Sequence, residues 1–251
     1  MKIHRYITIF IFFTLSQNQS FAQAVPHLNF WSRASFTLPF NKKWKTEVEF
    51  QHRRQNDYAL QSWLLFKENL LSSVRTWVHF QQRKDVGFSV SPFAYYWNNP
   101  IIIAESDKQK PKVKEIRYSF ALDVKHELEK NLWLINRSCF EYRDFQETNT
   151  DFIRFRNRLG LRYEFNSKWN LSFLYEVFLT LNESKPSKVF DHDRLAMLLN
   201  FIPTKNIRIE TGYMYITRML KNTDEFLYEN NFLVHLYFML PYSRNHNDSK
   251  Y

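Results

Sequence analysis

Hydrophobic and polar residues alternate with a period of two along most of the chain. In residues 116–128, IRYSFALDVKHEL, one phase is apolar except for His126, and the other is polar or small. Successive side chains of a strand point to opposite faces of a sheet, so this segment predicts a long strand with one apolar and one polar face. The same alternation predicts strands at residues 28–38, 44–54, 74–82, 86–97, 132–145, 152–165, 169–181, 195–202, 207–217 and 232–240.

The length of these segments distinguishes them from the strands of ordinary globular proteins. Globular strands usually have ~5–6 residues, whereas a tilted strand needs ~9–11 residues to cross a bilayer, and several segments reach or exceed that length. Short turns at residues 39–43, 83–85, 129–131, 166–168 and 203–206 alternate with longer polar loops at 55–72, 98–113, 146–151, 182–191 and 219–229. This asymmetry is typical of outer-membrane barrels. We therefore predict an all-β fold, a closed antiparallel transmembrane β-barrel.

The number of strands is the open point of this prediction. Eleven segments show the pattern, whereas single-chain bacterial barrels usually have an even number of strands. Residues 59–71, ALQSWLLFKENLL, are the candidate for a twelfth strand, although a loop or an extension of the next strand fits them equally. We predict about twelve strands, with ten as the alternative.

The N-terminus has the pattern of a secretory signal. A charged start is followed by the apolar stretch YITIFIFFTL and by a small-x-small site that ends at Ala22. We predict a signal peptide at residues 1–22 and a barrel domain at residues 23–251. After cleavage the chain carries 33 basic and 25 acidic residues, a net charge of +8. Cys139 is the only cysteine, so burial and backbone pairing must hold the fold without an intramolecular disulfide.

Three stretches share a recognisable pattern: an arginine-rich strand, a Glu-Val-Phe strand and a Phe-Asp-x-x-Arg strand start, formed here by Arg154, Arg156 and Arg158; Glu176, Val177 and Phe178; and Phe190, Asp191 and Arg194. With this pattern the chain resembles an uncharacterised outer-membrane β-barrel family of Gram-negative bacteria, a domain-of-unknown-function family. The resemblance covers most of the mature chain and implies a barrel in the outer membrane but no reaction. The chain departs from the family pattern at its end, because eleven residues follow Leu240.

The stretch FIRFRNRLGLRYEF, residues 152–165, indicates whether the polar side chains of its strand point toward lipid or toward the lumen. An arginine at the lipid-facing midplane costs ~2–4 kcal/mol, so four would cost roughly 8–16 kcal/mol. That is comparable with the ~5–15 kcal/mol that stabilises a whole domain. We therefore predict that the polar phases of the strands form a charge network that lines the lumen: Arg117, Arg137, Glu141, Arg154, Arg156, Arg158, Arg162, Glu164, Glu176, Arg194, Arg208 and Glu210. Trp44 and Trp169 follow short turns and are predicted interfacial aromatics.

Two functions fit this lumen: a closed structural barrel filled by paired charges, or a narrow small-solute channel with a basic lining. A barrel enzyme acting on envelope lipids and a soluble periplasmic ligand-binding barrel remain as alternatives. No local spacing pairs a nucleophile with a base, and no catalytic, metal or cofactor motif is found. The expected partners are outer-membrane lipid, the barrel-assembly machinery and an anionic small solute. Nucleic acid is not expected, since the basic residues share a strand face without exposed stacking aromatics.

Overall fold

The computed structural model describes residues 26–146, 151–220 and 225–241 of the chain. The predicted signal peptide and most of the C-terminal tail lie outside these residues. Twelve strands form the fold: β1 His27–Pro39, β2 Trp44–Gln55, β3 Glu68–Gln81, β4 Val86–Ser91, β5 Ala94–Asn98, β6 Val113–Glu129, β7 Leu132–Phe145, β8 Phe152–Glu164, β9 Trp169–Thr180, β10 Phe190–Thr204, β11 Ile207–Met219 and β12 Phe226–Met239. Two short 3₁₀ helices, Glu105–Gln109 and Pro186–Lys188, lie in loops. None of the helices in the described ranges is long and apolar enough to span a membrane.

The strands form one sheet that closes on itself, so the predicted all-β closed barrel of about twelve strands is confirmed. β4 and β5 both lie between β3 and β6 and share one position in the wall, which leaves eleven positions around the barrel. Neighbours are antiparallel except at the closure, where β1 pairs with β12 in parallel. An odd number of alternating strands brings a first and a last strand of the same direction together, so the antiparallel prediction fails at this one pair.

The twelfth strand arises from a break in the wall rather than from residues 59–71. Val90 pairs with Val78 of β3, and Ala94 pairs with Arg75 of β3. Two residues lie between Arg75 and Val78, but three lie between Val90 and Ala94, so the segment opposite β3 contains one extra residue and forms a bulge. Pro92 lies in this bulge, where its missing N–H costs no ladder hydrogen bond. Of residues 59–71, only the last four belong to a strand, as the start of β3, and the rest form a loop.

The register places the five short turns at one end of the barrel and the longer loops at the other; we call these the turn end and the loop end. Because β1 and β12 run in parallel, with His27 opposite Glu229 and Thr37 opposite Met239, β1 begins at the loop end and β12 finishes at the turn end. Apolar side chains such as Phe120, Phe140 and Leu195 point outward and are about half exposed. The alternate side chains point into the barrel.

Two inward glycines allow neighbouring strands to approach closely, which generates a stability prediction. A Cβ at position 160 would lie 2.3 Å from the Phe173 carbonyl oxygen, and one at position 212 would lie 2.2 Å from the Met197 carbonyl oxygen. Backbone atoms cannot rotate away, so Gly160→Ala and Gly212→Ala should each cost about 1–3 kcal/mol, the typical penalty of overpacking. The measurement is the urea midpoint of unfolding in detergent micelles.

Gly87→Ala is the matched control, because the nearest atoms to its added Cβ are 3.5 Å away, an ordinary contact distance. Equal midpoints for Gly160→Ala and Gly87→Ala would show that the close approach of β8 and β9 does not limit the stability of the barrel.

Candidate functional site

The centre of the barrel interior contains a carboxylate surrounded by three arginines. Glu141 is fully buried and accepts hydrogen bonds from Arg154 at 2.9 and 2.5 Å. Arg156 and Arg75 reach the other oxygen of the same carboxylate at 3.3 and 3.4 Å. These side chains come from β7, β8 and β3, so the ion pairs connect distant parts of the wall across the interior.

A second carboxylate extends this network toward β9 and β10. Glu176 accepts hydrogen bonds from Arg156 at 2.9 and 2.6 Å, and Arg194 lies 3.6 Å from its other oxygen. Arg154 also lies 3.5 Å from Asp191. Arg156 therefore bridges the two buried glutamates, and it acts as one unit with these glutamates and with Arg75, Arg154 and Arg194.

The other predicted lumen residues are distributed along the interior. Arg117 and Arg143 share buried Glu115, Arg137 pairs with Asp123, and Glu210 contacts His235, Tyr237 and Arg33. Nearer the turn end, Arg162 donates to Ser172 and Arg208 lies 3.6 Å from the ring centre of Tyr237. Glu164 is half-buried near that end, and Arg158 has no carboxylate within ion-pair distance among the described residues.

Aromatic rings inside the barrel support several of these guanidinium groups. Arg53 lies 3.4 Å and Arg194 5.2 Å from the ring centre of Trp31. Phe178 is fully buried and has Arg154, Arg156 and Arg194 within 5.2 Å of its ring centre. Each cation–π contact of a desolvated guanidinium contributes up to ~2 kcal/mol. Neither ring was expected in the lumen.

One side of the interior is apolar, which differs from the predicted polar lining. The buried cluster lies on β1 and β9–β12 and consists of Trp31, Leu174, Ala196, Leu198, Met214, Ile216 and Leu233. The two phases of the segment LAMLL in β10 are equally apolar, so alternation there does not indicate which phase points inward. The lumen therefore has a charged wall on β3 and β6–β8 that faces a mixed wall, in which this apolar cluster adjoins the charged side chains of Glu176, Arg194 and Glu210.

A cavity of about 130 Å³ separates the two walls near the middle of the barrel. Its lining includes three glutamates, Glu49, Glu176 and Glu210, and eight arginines, Arg33, Arg53, Arg75, Arg117, Arg154, Arg156, Arg158 and Arg194. Sequence reasoning omitted Arg33 and Arg53 from the site, although Arg53 shares the β2 phase of Glu47 and Glu49. Among the lining side chains, arginines outnumber glutamates by five; Glu141 and Glu115, which pair with Arg75, Arg154, Arg156 and Arg117 from outside the lining, reduce this excess to three positive charges.

Further cavities extend from this chamber toward the turn end. A cavity of about 210 Å³ shares Arg158 with the chamber, and one of about 460 Å³ shares Gln81, Gly87, Asp123 and Arg137 with that second cavity. The cavity with the largest volume of the three includes the turn residues Asn41, Lys42 and Lys43 in its lining. The three cavities therefore follow one another through shared lining residues, from the central arginines to the turn end.

Buried polar residues join two loops at the opposite, loop end of the barrel. Gln55 donates to the Pro100 carbonyl at 2.8 Å and accepts from the Ile102 N–H at 3.2 Å. Asp57 is buried and pairs with Lys108 at 2.7 Å, which joins the loop after β2 to the loop before β6. Burial alone would raise the pKa of Asp107, but hydrogen bonds from Lys110, Ala104 and Ile103 hold that pKa below its ordinary value. These contacts hold the loop after β2 against the loop before β6 at the loop end.

The structure brings one histidine and one serine together that sequence spacing did not connect. His79 Nδ1 lies 2.8 Å from Ser89 Oγ, and His79 Nε2 lies 3.6 Å from Glu47. Ser89 is buried and its hydroxyl also lies 3.4 Å from Asp123, so it is one member of the polar wall. The described residues contain no group of three or more His, Cys, Asp or Glu side chains that could hold a metal ion.

The two predicted interfacial tryptophans lie on the outer surface at the turn end. Trp44 begins β2 and packs on Phe80, with ring centres 4.7 Å apart. Trp169 begins β9 and stacks on Phe201 at 4.4 Å. Both tryptophans therefore belong to outward aromatic pairs at the same end of the barrel.

Comparisons with known proteins agree with this architecture. A family model described as "Protein of unknown function (DUF2490)" matches residues 28–226. A search of curated proteins gave no match. One similar solved structure is described as "NanC porin structure in rhombohedral crystal form"; it has 12% sequence identity and a TM-score of 0.51, and the alignment covers 84% of this chain and 97% of that chain. At this identity the likeness shows the fold alone, a porin-like β-barrel.

The central network generates a second stability prediction. Glu141→Gln removes the charge that Arg154, Arg156 and Arg75 share, and breaking a buried pair by removing one partner costs about 3–5 kcal/mol. We expect a lower urea midpoint in detergent micelles, with unfolding followed by tryptophan fluorescence. Glu164→Gln is the control, because Glu164 is half-buried near the turn end and should contribute less than ~1 kcal/mol. Equal midpoints for the two variants would contradict a central role for Glu141.

Proposed function

Because the chain belongs to the DUF2490 family and folds as a porin-like β-barrel, we propose that it resides in the outer membrane and admits small anions into an arginine-lined lumen from the turn end. The observation that carries this proposal is the chamber with eight arginines and three glutamates in its lining. The similar solved protein is called a porin, and the channel part of the proposal extends this description to the present chain.

The outer surface of the barrel supports a membrane location. A closed barrel is the β-structure that pairs all of its backbone groups internally, as hydrocarbon requires. Most wall strands have 12–17 residues, enough to cross a bilayer at a tilt. The outward side chains are largely apolar, and the aromatic pairs of Trp44 and Trp169 suit the membrane–water boundary at the turn end. Export by a signal peptide at residues 1–22 and folding by the barrel-assembly machinery are part of the same proposal.

The chamber favours anions because its positive charge is incompletely compensated. Arg53 and Arg158 line it, and neither has a carboxylate within ion-pair distance among the described residues. The Nε atoms of Arg33, Arg53 and Arg194 are buried and have no hydrogen-bond partner among the residues that the structure describes. A buried cation that lacks a counter-charge is costly. A small anion that accepts hydrogen bonds from these groups would reduce that cost.

The contacts between loops at the loop end limit the ionic conductance that we expect. The chamber is narrow, and ions that enter at the turn end meet the hydrogen-bonded closure around Gln55, Asp57 and Lys108. We therefore expect a small conductance that increases when the loop closure is weakened. The second candidate function, a closed structural barrel, is favoured by the ion pairs of Glu141 and Glu176, which fill much of the cross-section.

The membrane location is tested by cell fractionation. The mature protein should be recovered with the outer membrane and should migrate faster on detergent gels before heating than after, because a closed barrel resists detergent unfolding at room temperature. Recovery in the soluble periplasmic fraction would contradict the proposal and favour a ligand-binding barrel.

The anion proposal is tested by conductance in planar bilayers under a potassium chloride gradient. At the dielectric constant of water, one unit charge 4 Å from an anion contributes ~1 kcal/mol, roughly a fivefold change in occupancy. The double variant Arg53→Gln, Arg158→Gln should therefore lose most of the chloride preference of the wild type. Lys130→Gln, which changes an exposed turn residue, should retain it.

Lys108→Ala provides the second part of this experiment, because it removes the ion pair with Asp57 at the loop end. We expect a larger conductance with the same anion preference. Cation preference in the wild type would overturn the proposal. Silence of both the wild type and Lys108→Ala would also overturn it, in favour of the closed structural barrel.

A further inference from the structure

The loop between β2 and β3 exposes large apolar side chains. In residues 56–67, which we call the rim loop, Leu60, Trp63, Leu64 and Phe66 are 64%, 66%, 66% and 58% exposed. Three of these values exceed those of the outward wall residues Phe140 and Leu195, which are 51% and 59% exposed. Polar loops are the rule at the ends of a barrel, so this cluster requires a separate explanation.

The first part of the rim loop is fixed at the barrel rim. Asn56 is fully buried; it accepts a hydrogen bond from the Leu28 N–H at 2.9 Å and donates to the Pro26 and Ser62 carbonyls at 3.0 and 2.8 Å. Its neighbour Asp57 is held by Lys108 at 2.7 Å. This end of the loop is therefore part of the polar closure of the loop end.

The last part of the rim loop is fixed on the outside of the barrel wall. Arg54 in β2 donates to the carbonyl oxygens of Phe66 and Lys67 and, at 2.5 Å, to Asn69. The Phe66 ring packs edge-on against Phe30, an outward residue of β1, with ring centres 4.9 Å apart. The loop thus passes from the inner rim to the outer surface, where Phe66 continues the apolar outer face next to Phe30.

These fixed ends determine which occupant suits the cluster. A loop that is anchored at both ends presents Leu60, Trp63 and Leu64 without a large ordering cost, so transfer of their apolar surface from water is a nearly uncompensated gain of ~25 cal/mol per Å². Tryptophan is enriched at the membrane–water boundary. Lys67 is exposed beside the cluster, where an ammonium group can reach lipid phosphates. Apolar continuity, a tryptophan and a flanking lysine together fit a bilayer surface.

We propose that the rim loop is a lipid-binding wedge that inserts Leu60, Trp63, Leu64 and Phe66 into the headgroup–acyl boundary of the leaflet at the loop end. This inference rests on the membrane location in the proposed function but not on anion entry. The wedge would hold the loop end of the barrel at a fixed depth, as the aromatic pairs of Trp44 and Trp169 do at the turn end.

The test places a fluorescent probe on the loop of the full-length protein. Trp63→Cys is labelled with an environment-sensitive fluorophore, and the wild type controls for background labelling, since its single cysteine is buried. The labelled protein is reconstituted in phosphatidylcholine vesicles that carry nitroxide groups at the headgroup or along the acyl chain. We expect strong quenching by nitroxides near the headgroup–acyl boundary and little quenching by aqueous iodide.

Two reference positions separate failure of the wedge from failure of the membrane location. Phe120→Cys reports on the outer wall and Lys130→Cys on an exposed turn. If the probe at position 120 is quenched by lipid nitroxides but the probe at 63 is quenched only by iodide, the wedge is wrong and the membrane location stands. If neither probe is quenched by lipid nitroxides, the membrane location is wrong as well.

Two further results complete the experiment. The probe at position 63 could instead be shielded from both quenchers and show energy transfer between fluorophores on different copies. That result would overturn the wedge in favour of contact with a second copy of the chain. Arg54→Gln should release the Phe66 and Lys67 carbonyls without changing the apolar side chains. We expect this variant to increase iodide quenching at position 63 and to leave quenching at position 120 unchanged.

Discussion

The parallel pairing of β1 with β12 is the contact on which the rest of the structure depends. Without it the sheet would have two open edges, and the unpaired backbone groups of His27–Pro39 and Phe226–Met239 would be incompatible with a lipid environment. The closure also creates an interior, so side chains that would be exposed on an open sheet become a shared core. Because eleven wall positions require a parallel seam, the two ends of the described wall lie at opposite ends of the barrel.

Strand positions and the inward phase of β8 could be predicted from the sequence because each depends on local information. The four arginines from Arg154 to Arg162 share one phase, and the energy of placing them in hydrocarbon is large enough to decide its direction. The parallel seam could not be predicted in this way, because period two is the same for parallel and antiparallel neighbours. A local signal did exist for the wall break, since Pro92 lies inside the predicted strand 86–97.

The composition of the lumen was harder to predict because it depends on strands that are far apart in sequence. In β10, residues Leu195–Leu199 are apolar in both phases, and only the neighbours Met214 and Leu174 determine that Ala196 points inward. Trp31 is stable inside because Arg53 and Arg194 cover its ring, and these arginines come from β2 and β10. The charge network follows the same rule, since Glu141 gains its partners from β3 and β8.

The two ends of the barrel and the central chamber differ in how their polar and charged groups are paired. At the loop end, polar groups of neighbouring loops are paired with each other, as in the contacts of Gln55, Asn56 and Asp57. Toward the turn end, the second cavity is lined by Lys125, Arg137, Arg158 and Arg162 and by two acids, Asp85 and Asp123. In the central chamber, Arg53 and Arg158 have no carboxylate within ion-pair distance among the described residues, and this is the physical basis of the proposed anion site. In the rim loop, the polar residues Asn56 and Asp57 are paired and Phe66 packs on Phe30. Leu60, Trp63 and Leu64 stay exposed, and this exposed apolar surface is the basis of the proposed lipid contact.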